Sequence, residues 1–141
     1  MNASDNLQRF VTAQDAGNTY QRALAELKGG RKTSHWMWFV FPQIVGLGHS
    51  HMSRTYAISS VEEAKAYLGH PVLGARLREC AAVVAGSAVR TAVELFGSID
   101  AQKLQSSMTL FLRADPSEAV FQRVLDRYFD SLSDPATDQR V

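Results

Sequence analysis

Residues Ser34 to Ser53 read SHWMWFVFPQIVGLGHSHMS and hold both tryptophans of the chain and three of its four histidines, His35, His49 and His51. Only histidine titrates near neutrality unperturbed, so His35 and His49 are the candidates for acid–base catalysis. A metal site is the first alternative. On a helix, His49 and His51 would point about 200° apart and could not share an ion. On an extended segment they would share a face, with His35 as a third nitrogen. Zinc would require further N, S or O ligands. No cysteine lies nearby and no carboxylate occurs between Glu26 and Glu62, so no metal site is expected.

The pattern fits a polar pocket better. His35 stands at the start of an aromatic run, and His49, Ser50 and Ser53 follow Gly46-Leu47-Gly48, where glycine lets backbone approach a ligand closely. If His49 to Ser53 opens a helix, its free N–H groups attract an anion, with Arg54 as an added cation. The plain alternative is a glycine-rich turn between packed helices, with histidines at the surface. A second cluster is Ser106-Ser107-Met108-Thr109. The helical stripe puts Ser107 beside Leu104, Met108 and Phe111 on a buried face. Its hydroxyl then bonds the carbonyl four residues back, or it lines the cavity bounded by the tryptophan segment. The expected ligand-binding set is Trp36, Trp38, Gln43, Ser50, Ser53, Tyr56, Ser107 and Thr109. Segments near positions 35, 50 and 107 must then meet around one hollow. Ser107, His35 and a carboxylate form a triad on paper only, since no GxSxG elbow is present. Cys80, between Leu77 and Val84 on a core stripe, reads as packing.

The elements that must position these residues are helical. Leu7, Phe10 and Val11 share one face, with Asp5 as the N-cap. Tyr20, Ala23, Leu24 and Leu27 make the next stripe, stopped by Gly29-Gly30. Ser60 to Glu63 (SVEE) is a capping box, opening a helix with Val61, Ala64 and Leu68 inward. His70 belongs to the start of a helix with Pro71 in its first turn and Leu73, Leu77, Cys80 and Val84 inward. Val89, Val93 and Phe96 mark a short helix. Asp100 caps another, carrying Leu104, Met108, Phe111 and Leu112. Asp115-Pro116-Ser117-Glu118 caps a last stripe of Phe121, Val124, Leu125, Tyr128, Phe129 and Leu132. Trp36 to Phe41 reads as a buried strand or as one or two helical turns between Ser34 and Pro42. The architecture expected is all-α: a compact single-domain orthogonal bundle of about six or seven helices over residues 1–141, with 1–4 and 133–141 frayed.

Composition narrows the function classes. The chain has 141 residues, 45% hydrophobic and 21% charged, ordinary for one globular domain. Fifteen basic residues face fourteen acidic ones, a net charge of +1, which is not the footprint of a nucleic-acid binder. A single cysteine fits a reducing cytosol. Met1 to Thr12 shows no secretory pattern, and the longest apolar run, Trp36 to Phe41, is far short of the ~20 residues a membrane helix requires. A cytoplasmic monomer or small homo-oligomer is expected, without nucleic-acid or membrane partners. No nicotinamide or flavin fingerprint is present, so no cofactor is expected.

The motifs SHWMWFVFPQ, GLGHSHMS and KLQSSMTLF, within a stretch from about Leu7 to Leu132, resemble a bacterial family known as domain of unknown function 1810. The resemblance implies a compact all-α protein and carries no established activity. Some members bear the label calpastatin, which implies a calpain inhibitor; such inhibitors are long disordered chains, unlike the compact domain expected here. The functional expectation is a small-ligand-binding protein with a polar–aromatic pocket for a small anionic ligand. Turnover there would be hydrolysis or group transfer. The alternative is an interaction or homo-oligomerising domain whose aromatic segment packs on a partner.

Overall fold

The structure, a computed structural model, describes residues 3–141. Helix α1 spans Ala3–Asp15, so Asp5 falls inside the helix and its side chain lies outside the described residues. A 3-10 turn (Ala16–Asn18) leads into α2 (Thr19–Lys28). Then follow α3 (Met37–Val40), α4 (His51–Thr55), α5 (Val61–Gly69), α6 (Leu73–Ala85) and α7 (Ala92–Phe96). The chain ends with α8 (Ser98–Ala114), α9 (Ala119–Tyr128) and α10 (Pro135–Asp138). The fold is all-α, and β structure among the described residues is one parallel bridge between Ile44 and Ile58. The aromatic run forms a helical turn, α3, because it has no strand beside it to pair with.

Local chemistry explains most boundaries. Ser60 Oγ accepts the Glu63 N–H at 3.1 Å while Glu63 Oε1 accepts the Ser59 N–H at 2.8 Å, so the capping box opens α5. His70 Nδ1 accepts the N–H groups of Val72 and Leu73, at 3.1 and 3.2 Å, and so starts α6 two residues after Pro71. Helix α8 begins at Ser98, behind Gly97, so Asp100 lies in its first turn rather than capping it. Asp115 Oδ1 holds the Ser117 N–H and hydroxyl in a tight turn, and α9 opens only at Ala119. Helix α9 also stops short of its expected end. Asp130 and Ser131 adopt left-handed φ values of 53° and 63°, which breaks the periodicity and leaves Leu132 63% exposed. Val93, expected inward, is 54% exposed, because α7 is too short to bury more than one side.

Helix α8 is the centre of the molecule, packed against α5, α7, α9 and α10. Rings thread the core from α1 to α9: Phe10 meets Tyr67 at 5.2 Å, Tyr67 meets Phe111 at 5.2 Å, and Phe111 meets Phe121 at 6.0 Å. Truncating one such ring to alanine costs about 3–5 kcal/mol. Arg9 reaches from α1 to the carbonyls of Thr55 and Ala57, at 2.9 and 2.8 Å, fastening the link between α4 and α5.

The polar end beyond Ser133, expected to fray, is docked on α8. Asp134 is 3% exposed. Its carboxylate accepts from Ser106 Oγ at 2.9 Å, Gln102 Nε2 at 3.2 Å and Thr137 Oγ1 at 2.6 Å, and its N–H donates to Thr109 Oγ1 at 2.9 Å. Three side chains satisfy the buried carboxylate, and it also accepts the Thr137 N–H at 3.2 Å, which caps α10.

Candidate functional site

The aromatic segment is organised by Glu26, on α2. Its carboxylate accepts the N–H groups of Thr33 and Ser34, at 2.8 and 3.0 Å, the Ser34 hydroxyl, and the indole N–H of Trp36 at 2.9 Å. Burial alone would push this carboxyl up, but the hydrogen bonds outweigh it and hold it at about 2. The Trp36 ring is fully buried, against Phe41 and Phe96. His35, between two anchored neighbours, is exposed.

A chain of alternating charge runs over both tryptophans. Lys32 Nζ donates to the Ser34 carbonyl at 2.6 Å, pairs with Asp100 Oδ2 at 2.9 Å, and lies 5.0 Å from the centre of the Trp36 ring. Lys103 Nζ stands 3.7 Å from Asp100 Oδ1 and 5.2 Å from the centre of the half-buried Trp38 ring. Asp100 therefore joins two lysines, each seated over one indole, where the ring quadrupole attracts the cation. Helix α3 meets the first turns of α8 here. Ser107 follows Lys103 by four residues, so it lies on the same face of α8 one turn further along. It is fully buried, and its hydroxyl has no hydrogen-bond partner among the described residues.

The other expected residues lie apart from this junction. Tyr56, half-buried, packs edge-on against Phe39 at 5.2 Å and against Phe10 at 5.9 Å. The carbonyl of half-buried Gln43 accepts the Ile58 N–H at 2.8 Å, closing the bridge. Ser50 caps α4 by accepting the Ser53 N–H at 3.1 Å, and its hydroxyl donates to Ser53 Oγ at 2.9 Å. Gly48 is required beside them, because a Cβ there would come within 2.5 Å of the Ser53 side chain. His49 is exposed on this loop, and His51 is exposed at the first position of α4. Thr109 donates to the Gln105 carbonyl at 2.8 Å and accepts from Asp134, so its hydroxyl is engaged within the fold. Trp38 is thus brought beneath Lys103 of α8, and Ser107 is buried one turn further along that helix. The Ser50–Ser53 pair instead bonds to itself, and Trp36 is turned into the core rather than toward a partner.

Two open grooves mark the surface elsewhere. One, of about 300 Å³, lies between Lys28-Gly29-Gly30 and Ser87-Ala88-Val89 with Glu94. The other, of about 250 Å³, is lined by Lys65, Leu68, Gly69, Arg78, Ala114 and Asp115. Neither includes a residue of the expected set. Among the described residues no group of three or more His, Cys, Asp or Glu side chains is placed to hold a metal ion. No described helix is long and apolar enough to cross a membrane. Burial pushes the Cys80 thiol up to about 12, with Tyr20 its hydrogen-bond partner at 3.7 Å, which suits packing and not nucleophilic attack.

Sequence reasoning missed Glu26, Lys32 and Lys103, which read as solvated polar positions, and took Asp100 for a helix cap; the one local signal is the i, i+3 spacing of Asp100 and Lys103.

No curated protein matches this chain. Its structure is similar to that of the conserved hypothetical protein Rv1873 from Mycobacterium tuberculosis, with 47% sequence identity and a TM-score of 0.91 over 95% of this chain and 94% of that one. Residues 4–141 match the family described as protein of unknown function (DUF1810), and the chain belongs to that family.

Proposed function

We propose that the protein binds a small anionic ligand where α3 meets α8, with Trp38 as the stacking surface and Lys103 as the cation. The observation that carries this reading is Lys103 Nζ, 5.2 Å from the centre of the half-buried Trp38 ring, which puts a cation and a flat stacking face at one junction. Glu26 supports the reading indirectly. Its four hydrogen bonds hold the segment rigid, so binding there loses little conformational entropy. His35, three residues before Trp38 and exposed, forms the proposed rim, and Gln43, at the bridge to Ile58, lies outside it. Ser50, Ser53 and Thr109 are engaged within the fold, Tyr56 packs between Phe10 and Phe39, and His49 lies on the outer loop; the reading uses none of these. It is a reading of binding alone, with no bond made or broken.

Thermal-shift titrations with inorganic phosphate, nucleoside monophosphates and small carboxylates test it. A bound anion raises the melting temperature with concentration by mass action. The rise is expected in the native chain, with quenching of tryptophan fluorescence, and is expected to vanish in Lys103→Ala. If no anion in the set shifts the melting temperature, or if Lys103→Ala keeps the full shift, the reading falls.

A further inference from the structure

The turn after α2 and the turn after α6 face each other across the 300 Å³ groove. The first is a Schellman closure: Gly30, at φ 81°, donates to the Leu27 carbonyl at 3.1 Å, and Arg31 donates to the Glu26 carbonyl at 3.1 Å. Glycine is needed at Gly30 for that backbone sign, and it also keeps the wall low. On one side of the groove stands Lys28, exposed. On the other stands Glu94, also exposed, whose orientation is set by the cap of α7: Thr91 Oγ1 accepts the Glu94 N–H at 3.0 Å and Glu94 Oε2 accepts the Arg90 N–H at 3.1 Å. Among the described residues neither Lys28 nor Glu94 belongs to an ion pair, although they line the same groove. The carbonyls at the end of α6 and in the turn after it are already engaged, those of Ala85 and Val89 by Arg127 at 2.7 and 2.9 Å and that of Val84 by the Tyr128 hydroxyl at 2.8 Å, so Glu94 is the partner the groove offers a cation.

Opposite charges that share a groove without closing on each other are complementary to a ligand carrying both signs. We propose that this groove binds a small zwitterion of the free α-amino-acid class. Its carboxylate would meet Lys28, and its ammonium would meet Glu94. A volume of about 300 Å³ is at the small end of ligand sites, which suits a single amino acid. Because both charged groups are exposed, binding is weak and falls with salt. The site is separate from the Trp38–Lys103 junction and stands whether or not an anion binds there.

The test is amide chemical-shift mapping on the full ¹⁵N-labelled chain with three probes: L-alanine, L-alaninamide, which lacks the carboxylate, and N-acetyl-L-alanine, which lacks the ammonium. L-alanine is expected to give saturable shifts at Gly29, Gly30, Ser87 and Ala88, and the two blocked probes are not. Lys28→Met and Glu94→Gln are each expected to weaken alanine binding about twofold to fivefold. Glutamine keeps the oxygen that caps α7, and both side chains are exposed, so an unchanged spectrum away from the groove verifies the fold. Absence of saturable shifts with alanine, equal shifts from the blocked probes, or undiminished affinity in both variants would each overturn the proposal.

Discussion

The indole N–H of Trp36 donates to the carboxylate of Glu26 at 2.9 Å, joining the buried aromatic segment to α2 across ten residues of chain. The same carboxylate holds Ser34 and Thr33, so one acidic group organises the whole approach to α3.

That arrangement makes stability depend on pH. The folded carboxyl is held at about 2 against an ordinary 4.5, so the stability it contributes is complete above 4.5 and is lost as pH falls through the folded value. Glu26→Gln is expected to be less stable than the native chain at neutral pH, with the difference shrinking as pH drops from about 4.5 toward about 2. Urea denaturation of both proteins across that range measures it. A difference that stays constant with pH would mean that the charge on Glu26 is not what holds the segment.

The two tryptophans are expected to behave differently. Trp36 is fully buried with a satisfied N–H, so Trp36→Ala removes both packing and a partner of Glu26, at about 3–5 kcal/mol. Trp38 is half-buried beneath Lys103, so Trp38→Ala is expected to cost clearly less. Chemical denaturation of the two variants side by side decides this, and equal losses would place both rings in the core.

The adjacent serines of α8 make a second contrast. Ser106 donates to the buried carboxylate of Asp134, so Ser106→Ala leaves that carboxylate short of a donor and is expected to cost about 1–3 kcal/mol. Ser107 has no partner, so Ser107→Ala is expected to be neutral or stabilising in the unliganded protein. Melting temperatures of the two variants check the pair. A loss at Ser107 as large as that at Ser106 would show that its hydroxyl is bonded.

Much of the fold was legible in the sequence because its signals act over three or four residues. The SVEE capping box, the Gly29-Gly30 stop and the stripe from Leu73 to Val84 all appear where the pattern puts them. Errors arose where a contact from elsewhere in the chain decided the outcome. The end of the chain looked too polar to hold, yet Ser106, Gln102 and Thr109 on α8 supply the partners that let Asp134 be buried. Leu132 continued the hydrophobic stripe of α9, but the left-handed turn at Asp130 and Ser131 carries it outward. At the candidate site, the aromatic and serine positions were visible by type. The charged partners were not, because a lysine or glutamate on a helix looks the same whether it faces water or an indole.

By itself the sequence determined an all-helical chain, the SVEE cap, the Gly29-Gly30 stop, and the three motifs that mark the family. The tertiary structure alone decided that Glu26 meets Trp36, that Lys103 covers Trp38, and that Asp134 seals α10 onto α8. Helical periodicity says which side chains share a face. Which polar groups meet across faces depends on how helices far apart in the chain cross, and that is set by the packing of the whole core.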